Sequence, residues 1–208
     1  MAVVRIMGLS GSPRREKNTE LLLNAALKAA MEVQDTRVEL VRVGDYRLMP
    51  CDGCNTCVRD GTCPLDEKDD AARLRQKLVE CDALIVAAPS YFGSVPGVLK
   101  NLMDRSRTLK MKGHLLGGKI IAGMSVSGLR EGGGEDVINE VCRFGLIHGM
   151  IVVGACGDPA SQSWAPVGTL QGDKGWKRIA EDEVALKAAA NLGGRVAEVA
   201  SALSRGRV

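Results

Sequence analysis

Short apolar runs alternate with longer stretches whose apolar positions recur every three or four residues, from one end of the chain to the other. The short runs at 3–8, 37–43, 83–88, 119–126 and 150–154 predict five β-strands. The periodic stretches at 18–33, 67–79, 96–107, 135–148 and 180–203 predict helices. This alternation favours a parallel sheet covered by helices on both faces, since each crossover between parallel strands needs a helix to return the chain. Helix ends carry matching signals: Asn18 or Thr19 as a cap of the first helix, Pro96 in the first turn of the third, and Gly149 after the fourth. An open, doubly wound sheet binds ligands beyond the carboxyl ends of its strands, so function is sought in the loops after strands one, three and four. Connections 44–66 and 155–177 are too long to be simple crossovers and read as functional or interface segments. The second holds Trp164 and Trp176, one of which is expected to be buried in a subunit contact or over a ligand.

A chain of 208 residues, 45% hydrophobic, is long enough for one sizeable core, and a single domain over 1–208 is expected. The 28 basic and 25 acidic residues leave a net charge of +3 with no concentrated field, and 3% aromatics give little stacking surface, which argues against nucleic acid as a partner. The first apolar run is interrupted by Arg5, and no run approaches the roughly 18 residues of a membrane span, so a soluble cytoplasmic protein is expected. Seven cysteines, an odd number without an export signal, argue against a disulfide framework, and four crowd between positions 51 and 63. Metal or redox chemistry is the better reading of those four.

The segment Gly8-Leu-Ser-Gly-Ser-Pro-Arg-Arg-Glu-Lys-Asn-Thr leaves a strand and opens a helix. It brings backbone N–H groups, the hydroxyls of Ser10, Ser12 and Thr19, and the Arg14 guanidinium to the positive end of a helix dipole. It has neither a dinucleotide fingerprint nor a triphosphate loop, so a terminal monophosphate suits it, although an ordinary strand-to-helix turn uses the same residue types. After the third strand, Pro89-Ser-Tyr-Phe-Gly-Ser-Val-Pro-Gly places Tyr91 and Phe92, two of only four Tyr and Phe residues, on a loop, which points to a flat ligand. Together these segments resemble those of the NADPH-dependent FMN reductase branch of flavodoxin-like proteins. The resemblance implies FMN, with Ser10, Ser12, Arg14, Asn18 and Thr19 at its phosphate and Pro89, Ser90, Tyr91, Phe92 and Gly93 along the isoalloxazine. In the glycine-rich loop after strand four, Ser127 and Gly133 are further contacts on a looser likeness, against a simple turn.

Cys51, Cys54, Cys57 and Cys63 are spaced by two, two and five residues. Paired zinc knuckles separate their Cys-x-x-Cys units by a dozen or more residues, whereas successive spacings of two resemble ferredoxin runs. Spacing favours an iron-sulfur cluster over zinc or free thiols. No second run exists to share the fourth ligand, and the stretch from Cys57 to Cys63, about 20 Å at full extension, can fold back around one cubane. On a flavodoxin-like chain this run is similar to that of the iron-sulfur flavoprotein family, which implies one 4Fe-4S cluster on these four cysteines. Cys81, Cys142 and Cys156 read as small hydrophobes, His148 as a charged partner of a helix end, and Asp104 as a surface ion pair with Lys100.

FMN accepts a hydride and can release electrons singly, while a cluster carries one at a time, so the two together imply a relay. The expected activity is that of an FMN-dependent oxidoreductase or electron-transfer flavoprotein fed by ferredoxin or NAD(P)H, and the resemblance also implies a homodimer or homotetramer. The alternatives are an NAD(P)H-dependent FMN or quinone reductase without a functional cluster, and a flavin- or metal-binding sensor.

Overall fold

The computed structural model describes residues 3–205, so the ends of the expected 1–208 unit lie outside the described residues. Strands β3 (Ala83–Pro89) and β4 (Ile120–Ser127) are buried along nearly their whole length, as their unbroken small and apolar sequence requires of central strands in a parallel sheet. Strand β1 (Val4–Ser10) lies beside β3, and β2 (Thr36–Arg42), half exposed and charged at Arg37 and Glu39, forms the edge. With β5 (Ile151–Val152) the order is β2-β1-β3-β4-β5, all parallel, with Ile6 opposite Val38 on one side and Ala83 on the other. Five strands in a doubly wound sheet match the sequence reading.

Alternate residues of each strand serve opposite layers. Val4, Ile6, Ile85, Ala122 and Met124 pack against α1 (Asn18–Met31) and α7 (Glu183–Arg205). Met7, Leu9, Leu84, Val86 and Ile121 face the second layer. That layer comprises α3 (Ala71–Glu80), α4 (Gly97–Arg105) and α6 (Gly134–Ile147). Two further single-turn helices, α2 (Thr56–Asp60) and α5 (Arg107–Met111), lie in the cysteine connection and after α4. Helix α6 ends as predicted: Gly149 takes φ +74°, its N–H bonds Leu146 O at 3.1 Å, and the Met150 N–H bonds Gly145 O at 2.9 Å, the double closure of a Schellman motif.

Three expectations are corrected. The cap of α1 is Lys17, not Asn18 or Thr19, and no side chain caps it. Pro96 caps α4 from outside the helix, with ψ 146°. Strand five is interrupted: after Val153 the chain leaves the sheet and returns as β6 (Val167–Thr169), which pairs with the outer half of β4 at Ser125, Val126 and Ser127. The excursion closes on itself where Ala155 N bonds Trp164 O at 2.6 Å, so the backbone at Gly154 cannot continue straight along β4. The rest of the connection is a small hairpin of β7 (Gln171–Gly172) and β8 (Gly175–Trp176). Among the described residues no helix is long and apolar enough to cross a membrane.

Candidate functional site

The order β2-β1-β3 sends α1 to one face and α4 to the other, and opens a crevice at the carboxyl ends of β1 and β3. The loop after β1 is pinned there. Gly11 N bonds Ala87 O at 2.8 Å, and a Cβ at Gly11 would stand 2.5 Å from the Leu99 side chain. Ser10, Ser12 and Thr19 are buried, Asn18 is half-buried and Arg14 is exposed. Ser12 Oγ accepts the Arg14 N–H at 3.1 Å, which bends the loop toward the start of α1. Because α1 has no side-chain cap, its first-turn amides at Asn18 and Thr19 stay free for an anion. Arg15 is tied to Asp45 at 2.7 Å, whereas Arg14 has no carboxylate partner among the described residues.

Sequence reasoning missed the group beneath this loop. Glu20 is buried in the first turn of α1, and its carboxylate accepts a two-pronged contact from Arg42 at 2.8 and 2.6 Å and the Glu16 N–H at 3.1 Å. The Arg42 guanidinium holds the Glu20 carboxyl below the usual range against the opposing effect of burial, with the Glu16 N–H assisting. The same contact holds Glu16 at φ +53° and fixes the shape of the loop. A signal existed: Glu20 lies in step with Leu23 and Leu27 on the buried stripe of α1, where a carboxylate needs a partner.

After β3, Ser90 N bonds Val126 O at 2.9 Å, and Tyr91 and Ser94 exchange both backbone bonds, at 2.9 and 3.2 Å. The two residues between them, Phe92 at φ +53° and Gly93 at φ +78°, form a left-handed hairpin turn. A phenylalanine in that conformation stores about 1–3 kcal/mol of strain, and this one projects wholly into solvent beside the half-exposed Tyr91 and the half-buried Pro89. The loop after β4 meets this turn backbone to backbone. Gly133, at φ +75°, has room for a Cβ only 2.6 Å from Gly93 Cα, and Ser90 Oγ donates to Gly132 O. Gly133 thus locks the two loops together. Ser127 is buried and donates to Leu129 O at 2.6 Å, closing its own loop.

The cysteine connection is stapled at its two ends. Asp69 accepts the Met49 N–H at 2.8 Å, and Arg47 and Asp70 exchange bonds of 2.9 Å. Arg105, at the end of α4, donates to Met49 O at 3.1 Å, Asp69 at 2.7 Å and Asp66 at 2.9 Å; Arg75 also holds Asp66. The Arg105 and Asp69 side chains are only 1% and 0% exposed. Burial raises the Asp69 pKa, but Arg105 and the Met49 and Ala71 N–H groups outweigh it and keep the carboxyl ionised below its ordinary range. Between the staples, Gly53, Asn55 and Gly61 adopt φ of +74°, +58° and +69°, turning the chain back on itself around α2. All four cysteines are free thiols, Cys51 and Cys54 exposed, Cys57 and Cys63 half-buried. Among the described residues no three Cys, His, Asp or Glu side chains converge as a metal site. The donor set nevertheless suits a thiophilic group: four sulfurs outside any disulfide on one anchored loop.

The other singled-out residues have structural settings. Lys100 and Asp104 pair at 2.6 Å, as expected. His148 is not a charged helix partner: it is buried and shares a 2.9 Å hydrogen bond with Ser106, and burial, with the positive charges of Lys110 and His114, pushes its pKa down to about 4. Cys81 is buried, with burial raising its thiol to about 11, but Cys156 is exposed and does not serve as core. Trp164 and Trp176 are both exposed in the single chain, the latter against Gly128 of the loop after β4. A groove of about 720 Å³ runs between α4, α5 and α6 from Ser94 to His148.

The profile of the family described as NADPH-dependent FMN reductase matches residues 4–163. An iron-sulfur flavoprotein of Methanocaldococcus jannaschii is 40% identical over 97% of this chain and 100% of its own length. One of Archaeoglobus fulgidus is 34% identical over 96% of each chain. The crystal structure of a flavodoxin, WrbA-like protein from Agrobacterium tumefaciens superposes with a TM-score of 0.61 at 17% identity, covering 96% of this chain and 98% of the other, which shows the shared fold. The chain therefore belongs to the NADPH-dependent FMN reductase family, among its iron-sulfur flavoproteins, and is a flavin-dependent oxidoreductase of flavodoxin-like fold.

Proposed function

We propose that this chain, as one flavodoxin-like unit with a cluster loop at about 44–66, relays electrons between FMN and a 4Fe-4S cluster held by Cys51, Cys54, Cys57 and Cys63. The observation that carries the reading is the staple: the loop bearing four free thiols is fastened through Arg105 to α4, the helix that begins just after the Tyr91–Ser94 turn. When bound, FMN exchanges electrons in pairs or singly and the cluster exchanges them one at a time. The chain supplies the positions. Ser10, Ser12 and Thr19 offer hydroxyls, Asn18 an amide, and Arg14 a guanidinium without a carboxylate partner among the described residues to the phosphate, in a setting where one anion fits and a dinucleotide has no fingerprint. Pro89, Ser90, Tyr91, Phe92 and Gly93 supply the wall for the ring, while Gly133, and Ser127 behind it, hold that wall in place. Electrons enter from ferredoxin or NAD(P)H, and the working form is a homodimer or homotetramer in the cytoplasm.

A second reading, an NAD(P)H-dependent FMN or quinone reductase without a functional cluster, is favoured by the separation of the thiols in this structure. Anaerobic purification followed by iron, sulfide and flavin analysis separates the two. The relay predicts iron and sulfide alongside FMN, loss of both from Cys57→Ala with FMN retained, and slower flavin reduction by ferredoxin in that variant. Full iron and sulfide in Cys57→Ala, or zinc alone in the wild type, would refute the four-cysteine assignment.

A further inference from the structure

Anchoring the cysteine loop does not use all of the Arg105 guanidinium. Its Nη1 and Nη2 groups are taken up by Met49 O, Asp66 and Asp69, but its Nε lies buried without a hydrogen-bond partner among the described residues. A buried N–H left without an acceptor is costly and uncommon, and it points to an acceptor that the protein atoms do not supply. Cys63 directly precedes the turn that carries Asp66, whose N–H bonds Cys63 O at 3.0 Å, and a thiolate at Cys63 would act on the Arg105 charge. Arg75 and Arg105 balance Asp66 and Asp69, so this buried network is neutral only while Arg105 is present. Around the loop, Arg59 donates to Cys54 O at 3.3 Å and Arg107 to Asn55 Oδ1 at 2.9 Å, and neither has a carboxylate partner among the described residues. They offset the exposed carboxylates of Asp52 and Asp60 on the loop itself.

We propose that Arg105 is a positioning residue for the iron-sulfur cluster that also sets its potential, with its spare Nε–H a donor to the sulfur shell and its charge favouring the reduced state. No bond is made or broken at Arg105 and its proton stays in place; one electron entering the cluster meets a fixed positive charge and a fixed donor, both of which favour the added negative charge. The inference rests on the four-cysteine reading above.

The test uses the full-length, FMN-loaded protein purified anaerobically, with Arg105→Lys and Arg105→Gln beside the wild type. Lysine keeps the charge but has neither the fork nor the Nε–H, and glutamine removes the charge as well. Iron, sulfide and FMN per chain are measured first, and then the midpoint potential of whatever cluster has assembled, by redox titration followed in absorbance and electron spin resonance. Both variants are expected to keep FMN. In Arg105→Gln the reduction equilibrium constant of the cluster should fall at least tenfold, about 59 mV for a one-electron couple, with Arg105→Lys intermediate. A residue that merely holds the loop would lower the amount of cluster and leave the potential alone. Clusters of wild-type potential in whichever variant retains them overturn the proposal, and so does joint loss of FMN and cluster from both, which would make Arg105 a residue of the fold. Wild-type protein without iron and sulfide overturns the four-cysteine reading first and this one with it, so the two failures are told apart by the wild-type analysis.

Discussion

Replacing Gly133 by alanine should loosen the Tyr91–Ser94 turn, proposed to face the flavin, without touching any proposed ligand contact on the phosphate side. The new Cβ would stand 2.6 Å from Gly93 Cα, 3.1 Å from Ser90 Oγ and 3.4 Å from Gly93 C, and two of those three neighbours are backbone that cannot rotate away. The residue also sits at φ +75°, where an L side chain costs roughly 1–2 kcal/mol. Overpacking of this kind adds about 1–3 kcal/mol, so the total is about 2–5 kcal/mol. For a chain of this length each kcal/mol moves the melting temperature by about 2–4 °C, which predicts a loss of roughly 4–20 °C in the apoprotein. The structure can recover part of this cost only by moving the Tyr91–Ser94 turn away from the loop after β4. FMN affinity, read by quenching of flavin fluorescence, should then weaken at least about tenfold if 1.4 kcal/mol of the strain is felt in the bound state. Gly97→Ala is the control, because a Cβ there meets nothing within 4 Å at an ordinary backbone angle, and its effect should stay within about 0.5 kcal/mol. A Gly133→Ala protein that melts and binds FMN like Gly97→Ala would show that the two loops do not constrain one another.

Arg14→Ala should weaken FMN binding by about 1.5–3 kcal/mol, the value of a hydrogen bond to a charged group, with an unchanged far-ultraviolet spectrum; undiminished flavin affinity would remove Arg14 from the site. Phe92→Asn should stabilise the apoprotein by roughly 1 kcal/mol, since asparagine tolerates the left-handed region, while weakening FMN binding, and a drop in melting temperature would mean that the turn is not strained. His148 predicts an acid-side stability loss. Its folded pKa of about 4 lies below the unfolded value near 6.5, so between those two pH values the unfolded chain binds a proton that the folded chain refuses. Stability should fall as pH drops through this window, by up to about 3 kcal/mol at the acid end, and urea titrations of His148→Gln should show a flatter profile. An equal slope in the variant would count against a neutral buried imidazole.

The sheet and its helices were legible because each central strand is an unbroken apolar run and each helix repeats its apolar positions in step, so local pattern and final packing agree. The two loops proposed for the flavin were legible as loops for a related reason: 10–19 and 89–93 are contiguous, and their position after a strand is itself the signal. What could not be read were choices of distant partner. Nothing local says that Glu20 will meet Arg42 across the sheet edge, that Arg105 will gather Asp66 and Asp69 from the far end of the cysteine connection, or that Val167 will take over the edge of β4 from Val153. His148 misled for the opposite reason. Its place at a helix end suggested charge, but burial beside Ser106 decided its protonation.

The double staple at the foot of the cysteine connection bears on the order in which the protein can be assembled. Closing a flexible loop of roughly twenty residues costs about 2–3 kcal/mol in chain entropy. Here the ion pairs of Arg105 and the bonds joining Arg47 and Met49 to Asp69 and Asp70 bring the ends together in the folded polypeptide itself. A chain that reaches this state before any metal arrives presents its four thiols within one short tether, so their effective concentration toward an incoming metal donor is set by the fold rather than by diffusion. The residues proposed for the flavin, in the loops after β1, β3 and β4, include none of those that form the staple. If the four cysteines hold the cluster as proposed, maturation of the two sites is separable, and a cell short of iron is expected to accumulate folded, flavin-bearing protein.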